Sequence, residues 1–304
     1  MNILITGTDG FIGKNLKNYF KNSKHIIFSP TIKTLDLRHS EKVKRYLDNC
    51  KVDVIIHSAT VLQKNKKYID SVCEDNLRMF FNLYEFKTKN CILINLGSGS
   101  EFNRKNWIPV MKNKYLGKNI PSDGHSLSKY ISARFIEKST DETLYHLRIF
   151  GIFGKYEDYL YKFISNTIIK QLLSVPIILN QNARYHYLHI EDLCRIIEEL
   201  IKVRPIDKII NVTPKDKIEL VNIIKIIQKL IPNNNSVKII KKGFGKEYTG
   251  SNEELLKFYN SFTTPEKSIL ELIKFYKNKL SVIKKSLYKI KKDNFLKYAK
   301  TTNR

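Results

Sequence analysis

The sequence predicts a doubly wound α/β fold, a parallel sheet wrapped by helices, with a smaller C-terminal domain. Three observations carry the prediction. Short apolar runs, Ile3-Leu4-Ile5, Ile26-Ile27-Phe28, Val54-Ile55-Ile56 and Cys91 to Leu96, alternate with amphipathic stretches of helix length. The runs are apolar throughout instead of alternating, as strands buried on both faces must be. A glycine-rich turn, Thr6-Gly7-Thr8-Asp9-Gly10-Phe11-Ile12-Gly13, then joins the first run to the first helix, the order of a Rossmann-type βαβ unit.

Each element has a local reason. In the turn, Gly7 permits a tight exit from the strand, Gly10 lets the backbone approach a pyrophosphate, and Gly13 lets the helix pack close to the sheet. The N–H groups that follow, with Asp9, Phe11 and Ile12 in the same turn, are placed to hold phosphates. The second strand, His25 to Pro30, ends without the carboxylate that would bond an adenosine ribose 2′-OH, and Lys33 is close by. That pairing favours NADPH, whose 2′-phosphate a cation welcomes, with NADH as the other choice. Asp36 either accepts from the adenine amino group or begins a turn. A helix from Ser40 to Leu47 precedes the strand Val52 to Thr60, whose small terminal residues Ser58, Ala59 and Thr60 leave room for a wide cofactor. A long helix from about Asp70 to Lys87 leads to the strand Cys91 to Leu96, which runs into Gly97-Ser98-Gly99-Ser100-Glu101-Phe102. Ser98 and Ser100 thus stand at a strand's C-terminal end, where ligands of such sheets sit.

Composition bounds the remaining choices. The 304 residues suffice for two modest domains with ample core. No apolar run approaches the ~18 residues of a membrane span, and Met1 leads straight into the first strand, so a cytoplasmic protein is expected. Cys50, Cys73, Cys91 and Cys194 lie far apart, which fits reduced thiols and neither a disulfide framework nor a metal site. The formal net charge of +25 could mark a nucleic-acid partner, but the lysines are spread along the chain and no nucleic-acid-binding motif accompanies them. An anionic small substrate fits better.

Read together, these residues resemble the extended short-chain dehydrogenase/reductases of the NAD-dependent epimerase/dehydratase family, most of which act on nucleotide-diphosphate sugars. The matching pieces follow the family's order over about residues 1 to 280. They are Thr6 to Gly13, Asp36-Leu37 for an adenine contact, His57-Ser58-Ala59, Gly97-Ser98 for the catalytic strand end, and Ser128-Lys129 for the lysine of Y-x-x-x-K. Leu147-Arg148-Ile149-Phe150-Gly151-Ile152-Phe153-Gly154, Tyr187-Leu188-His189-Ile190-Glu191-Asp192-Leu193, Asn211-Val212-Thr213 and Pro265 to Tyr276 complete the series. The resemblance implies that Ser98 holds the reacting oxygen, that Lys129 binds the nicotinamide ribose, and that Ser58 and Ala59 border the cofactor.

One departure matters: His125 occupies the position of the family's catalytic tyrosine, four residues before Lys129. Histidine can carry a proton, and its ordinary pKa of ~6.5 predicts a reductase whose activity falls as pH rises through that value. Loss of catalysis, leaving a non-catalytic NADP(H) or sugar-nucleotide binding protein, is the contrasting reading, as is another residue serving as donor. Ser98 lacks the Asp-Glu pair that follows it in dehydratases. The spacing most resembles the 4-keto reductase branch that contains GDP-fucose synthase, whose epimerising cysteine is here Ser100. A simple reductase of a 4-keto deoxysugar or heptose in surface polysaccharide biosynthesis is therefore expected, with a 4-epimerase holding NAD tightly as the alternative.

The resemblance implies a domain of residues 1–155 with returning segments near 183–213, then a mainly substrate-binding region of 156–280, in which Lys170 and Arg184 would hold the diphosphate. Such a group needs charge-assisted contacts. Ser100 would face the sugar. A homodimer is usual in the family. The tail, 281–304, is basic, and Ile283, Leu287 and Ile290 share a helical face in it. This face could pack on its own domain, on a second subunit or on an anionic membrane surface.

Overall fold

The computed structural model describes residues 1–61, 70–293 and 295–297 of the chain. In chain order the elements are β1 (Asn2–Thr6), α1 (Phe11–Phe20), β2 (Ile26–Phe28), α2 (Ser40–Cys50), β3 (Val54–His57), α3 (Val72–Phe86), β4 (Ile92–Ser98), α4 (Gly124–Lys138) and β5 (Leu144–Ile149). There follow β6 (Gly151–Phe153), α5 (Phe163–Leu172), β7 (Ile177–Asn182), β8 (Arg184–Tyr185), β9 (Tyr187–His189), α6 (Ile190–Val203), β10 (Ile209–Val212), β11 (Ile218–Glu219) and α7 (Leu220–Leu230). Last come β12 (Val237–Phe244), α8 (Glu253–Leu256), α9 (Pro265–Lys277), α10 (Leu280–Lys284) and α11 (Leu287–Lys291).

The first of two compact units comprises Met1–Phe150, Leu193–Thr213 and Gly250–Asn260. Its six-stranded sheet has the order β10-β5-β4-β3-β1-β2, and every neighbouring pair is parallel. The strand order reverses beside β1, where the chain first moves out to β2 and then returns to β3. Such a reversal opens a crevice beyond the strands' C-terminal ends. The apolar runs predicted as strands are buried accordingly: Ile3, Leu4, Ile5, Val54, Ile55 and Ile56 expose no surface. One core cluster sets Leu4, Leu35, Val43 and Ile55 with Met79, Phe80 and Leu83 of α3 and Ile136 of α4. Phe135 sits edge-on to Phe80, Phe81 and Tyr84, at 4.9 to 5.9 Å between ring centres, and so locks α4 to α3.

The second unit comprises Gly151–Asp192, Pro214–Thr249 and the chain from Ser261 onward. Its core joins Ile164 and Ile168 of α5 to Ile223 and Ile227 of α7 and Ile269, Leu272 and Ile273 of α9. Ile283 and Ile290 belong to the same core, with Leu287 packed against it. Of the three choices for the tail's apolar face, the protein takes packing on its own unit. A single helix is not formed. Two short helices, α10 and α11, replace it, and residues 298–304, Lys300 among them, lie outside the described residues. Among the described residues no helix is long and apolar enough to cross a membrane.

A carboxyl group lies inside this second core. Glu157 is buried, its Oε1 accepts from the hydroxyl of Ser165, and Ser165 in turn accepts from Tyr276 Oη at 2.8 Å. The other oxygen of Glu157 has no partner. Burial pushes the carboxyl up to about 8, so the neutral acid is the form that fits the core. With the folded pKa raised above the unfolded value, this group's contribution is full below about pH 4.5 and is lost as pH rises through about 8. Glu157→Gln keeps the shape without the titration. Thermal unfolding between pH 5 and 9 should show the wild-type midpoint falling more steeply than the variant's, with the two curves diverging toward alkaline pH.

Candidate active site

The crevice is built where β1 and β3 end side by side, with Thr6 in register with His57. Thr6 Oγ1 accepts the backbone N–H groups of Ser58 and Ala59 at 3.2 and 3.1 Å and lies 3.0 Å from His57 Nδ1. Ser58 Oγ donates to the Thr6 carbonyl at 2.5 Å. Thr6 was missed by sequence reasoning as a separate role, although it opens the glycine turn. This stapling brings the backbones so close that a Cβ on Gly7 would lie 2.7 Å from Ala59 Cα, and Gly7 adopts φ of +70°. A Cβ on Gly13 would lie 2.2 Å from the Gly7 carbonyl oxygen. The helix α1 begins on Gly10 with no side-chain cap and no acid in its first turn. Its first N–H groups, flanked by Asp9, Phe11 and Ile12, are thereby left for an anion, which is the fit a dinucleotide's phosphates require.

The adenine side is partly occupied by the chain itself. Arg38 grips Asp36 with two nitrogens, at 2.9 and 2.7 Å, and holds its carboxyl down at about 2. Leu37 sends its side chain into the core, while its carbonyl accepts from Asn82 at 2.7 Å. Lys33 is exposed beyond β2.

At the end of β4, Ser98 begins a 3₁₀ turn over Gly99–Phe102. Its Oγ accepts from Ser100 N–H at 3.2 Å and lies 3.1 Å from Ser100 Oγ, and its own N–H donates to Glu101 Oε1 at 2.7 Å. Ser98 stays partly exposed. Ser100, expected to face the sugar, has no exposed surface, because the capping geometry turns its hydroxyl toward Ser98.

The helix α4 starts on Asp123, which accepts from Ser126 N–H at 2.9 Å, and packs against β4 and the 3₁₀ turn. His125 and Lys129 are one turn apart on its inner side. Lys129 is buried, and desolvation lowers its ammonium to about 8 despite the carboxylate field of Glu101. His125 is itself pushed down to about 4, by burial first and then by the charge of Lys129. The imidazole is therefore neutral at pH 7, which corrects the expectation of a histidine titrating near its ordinary value. Its Nδ1 is buried and without a partner, an atom that a bound ligand's polar group would satisfy. His57, wholly buried, is lowered to about 3 by burial and by Lys129.

The second unit holds the two cations expected to bind a diphosphate, and it uses both internally. Lys170 is 2% exposed, and its Nζ meets Asp293 Oδ2 of the tail at 2.6 Å. Arg184, exposed on β8, lies 3.4 Å from Glu219 and stacks over the Phe244 ring. Neither lines the cavity of about 180 Å³ bordered by Phe153, Tyr187, His189, Lys215 and Thr263. Beside that cavity His189, Glu191 and Glu271 bring ligand atoms within 4.8 Å of one another, but Lys155 Nζ already sits 3.1 Å from Glu191.

Parallel sheet, glycine turn and strand-end serine together define a nucleotide-binding α/β protein. The chain belongs to the NAD dependent epimerase/dehydratase family, whose model matches residues 3–213. It is 28% identical over 222 residues to GDP-L-colitose synthase of Yersinia pseudotuberculosis, spanning 65% of this chain and 71% of that one. Its fold is similar to that of a GDP-mannoheptose C4 reductase from Campylobacter jejuni with NADP bound, at TM-score 0.76 and 17% identity, covering 91% and 98% of the two chains. A GDP-L-fucose synthetase from Naegleria fowleri bound to NADP gives TM-score 0.75 and 19% identity over 92% and 95%.

The backbone contact at Gly13 gives a direct check. Gly13→Ala forces a methyl against the Gly7 carbonyl and should abolish binding of a reduced nicotinamide dinucleotide measured by fluorescence. It should also lower the unfolding midpoint by several degrees, equivalent to about 1–3 kcal/mol of overpacking.

Proposed function

We propose that the protein is an NADPH-dependent reductase of a 4-keto sugar linked to a nucleoside diphosphate, guanosine diphosphate being the first choice. The observation that carries the reading is the placement of His125 one turn before a buried Lys129, whose ammonium is lowered to about 8, on the helix that packs against the turn begun by the partly exposed Ser98. NADPH supplies the hydride when bound. The chain's own residues supply the oxygen's environment and its proton. Ser98 donates a hydrogen bond to the ketone oxygen. The neutral imidazole of His125, with one N–H and one acceptor nitrogen, passes a proton to that oxygen and takes another in its place. Lys129, its ammonium lowered to about 8 by burial, is the reservoir behind it.

The choice of a guanosine diphosphate sugar is supported by the names of the similar proteins above. Reduction without epimerisation is supported by the inward-turned Ser100, which occupies the epimerising cysteine's position and offers no base to the substrate. Lys33 beyond β2 supports NADPH over NADH. A sugar-nucleotide-binding protein without turnover is the second reading, favoured by the histidine at the tyrosine position.

The test is NADPH oxidation with GDP-, dTDP-, UDP- and CDP-linked 4-keto sugars, using wild type, His125→Ala and His125→Tyr. Wild-type turnover that drops at least ~100-fold in His125→Ala is expected. The kcat should hold steady between pH 6 and 7 and decline above about pH 8, because the reduction needs the acid form of Lys129. A decline already complete at pH 7 would return the donor role to an imidazolium. NADPH binding without oxidation of any sugar would favour the second reading.

A further inference from the structure

The 3₁₀ turn after β4 carries a charge that neither the glycine turn nor the proton relay uses. Glu101 has no exposed surface and accepts three hydrogen bonds: Ser98 N–H at 2.7 Å, His146 Nε2 at 2.9 Å and Arg148 Nε at 2.7 Å. Arg148 is also fully buried, donates to Asn113 and Asn211, and stacks over Phe102 at 4.4 Å. The sequence makes room for this by Gly97, where a Cβ would lie 2.1 Å from His146 Nε2 and 2.4 Å from Glu101 Oε1.

We propose that Glu101 is a positioning residue of the active site, which clamps Ser98 at the strand end and serves as the buried counter-charge of Lys129. The clamp is direct. Ser98 N–H and Glu101 Oε1 form one half of a capping box, and Ser98 Oγ with the turn's backbone forms the other, so the carboxylate fixes the residue whose hydroxyl meets the substrate. The counter-charge acts where α4 packs against the 3₁₀ turn, with Lys129 and Glu101 both buried there. Three histidines feel Lys129, His57 from β3, His125 from α4 and His146 from β5, and burial lowers each from its ordinary value. Arg148 and Arg104 add positive charge nearby, felt at Glu101 and at His125 respectively. Against these, Glu101 is the carboxylate that raises Lys129. Glu101 remains ionised because His146 and Arg148 outweigh the cost of its burial.

This inference rests on the reductase reading for its kinetic part only. Lys129 reactivity toward acetic anhydride, followed against pH by mass spectrometry of its peptide, reads the counter-charge without any substrate. Three proteins are compared: wild type, Glu101→Gln, which retains the shape but not the charge, and Glu101→Asp, which retains the charge but not the reach. In folded Glu101→Gln the labelling midpoint of Lys129 should fall by about one pH unit or more. The kcat should drop about 10-fold or more with KM changed less than about 3-fold. Glu101→Asp should restore the midpoint while kcat stays low, because the Ser98 clamp is stretched. An unchanged midpoint in Glu101→Gln, or full kcat in Glu101→Asp, overturns the assignment. Should Glu101→Gln fail to fold, the kcat of Glu101→Asp still decides the clamp, and full kcat there overturns it. If wild type turns over none of the sugars, the midpoint still reports on Glu101, separating its failure from that of the reductase reading.

Discussion

A carboxylate with no access to water is the constraint on which the ends of β4 and β5 depend. Burying an isolated carboxylate costs several kcal/mol even after relaxation, and well-placed donors, at least one of them charged, must offset that cost. Glu101 meets the condition with an arginine, a backbone N–H and a histidine, drawn from β4 and β5. Arg148 extends the network to Asn113 and to Asn211 on β10, so three neighbouring strands share one buried ion pair. Replacing one member strands the others. The arrangement therefore gives the strand ends little freedom to slip, at the place where Ser98 must keep one position.

The same enclosure sets the protonation states around it. Desolvation favours neutral histidines and a weakened lysine, while the one buried carboxylate pulls the other way at Lys129. A tyrosine beside Lys129 would need its acidity raised by that cation to act at neutral pH, since its ordinary value is about 10. A neutral histidine needs no such help to hold a hydrogen bond, but it needs a second group to keep it supplied with protons. A lysine near 8 is suited to that task, whereas one left at its ordinary ~10.4 would hold its proton too tightly. The exchange of tyrosine for histidine and the depression of Lys129 are thus chemically coherent.

How much of this was legible depended on how far apart in sequence the partners lie. The β1 turn was readable because its glycines act within seven residues, and the strands because burial on both faces writes itself as unbroken apolar runs. The tail's buried face was readable too: Ile283 and Ile290 are 4% and 1% exposed, although the helix expected to carry them breaks in two. Glu101 had a local signal, the S-x-x-E spacing from Ser98, which is that of a capping box. Its charge partners at 146 and 148 had none, because nothing in the sequence says that β5 lies beside β4. Ser100 was misplaced for a related reason: a residue two beyond a catalytic serine can face the ligand or turn back onto it, and backbone geometry decides.

Lys170 carries the point furthest. Its position resembled a diphosphate contact, and a lysine on an amphipathic helix ordinarily reaches solvent. Here Asp293, 123 residues later, closes over it at 2.6 Å. A buried ammonium demands a counter-ion, and the tail supplies the single acid in a stretch otherwise rich in lysine. That acid also sits among packed apolar groups, with Ile290 before it in the core and Phe295 after it against Phe163. The tail is therefore part of the second unit's core, held by apolar burial and by one ion pair together. The tail's own described lysines, Lys284, Lys285, Lys289, Lys291, Lys292 and Lys297, are exposed.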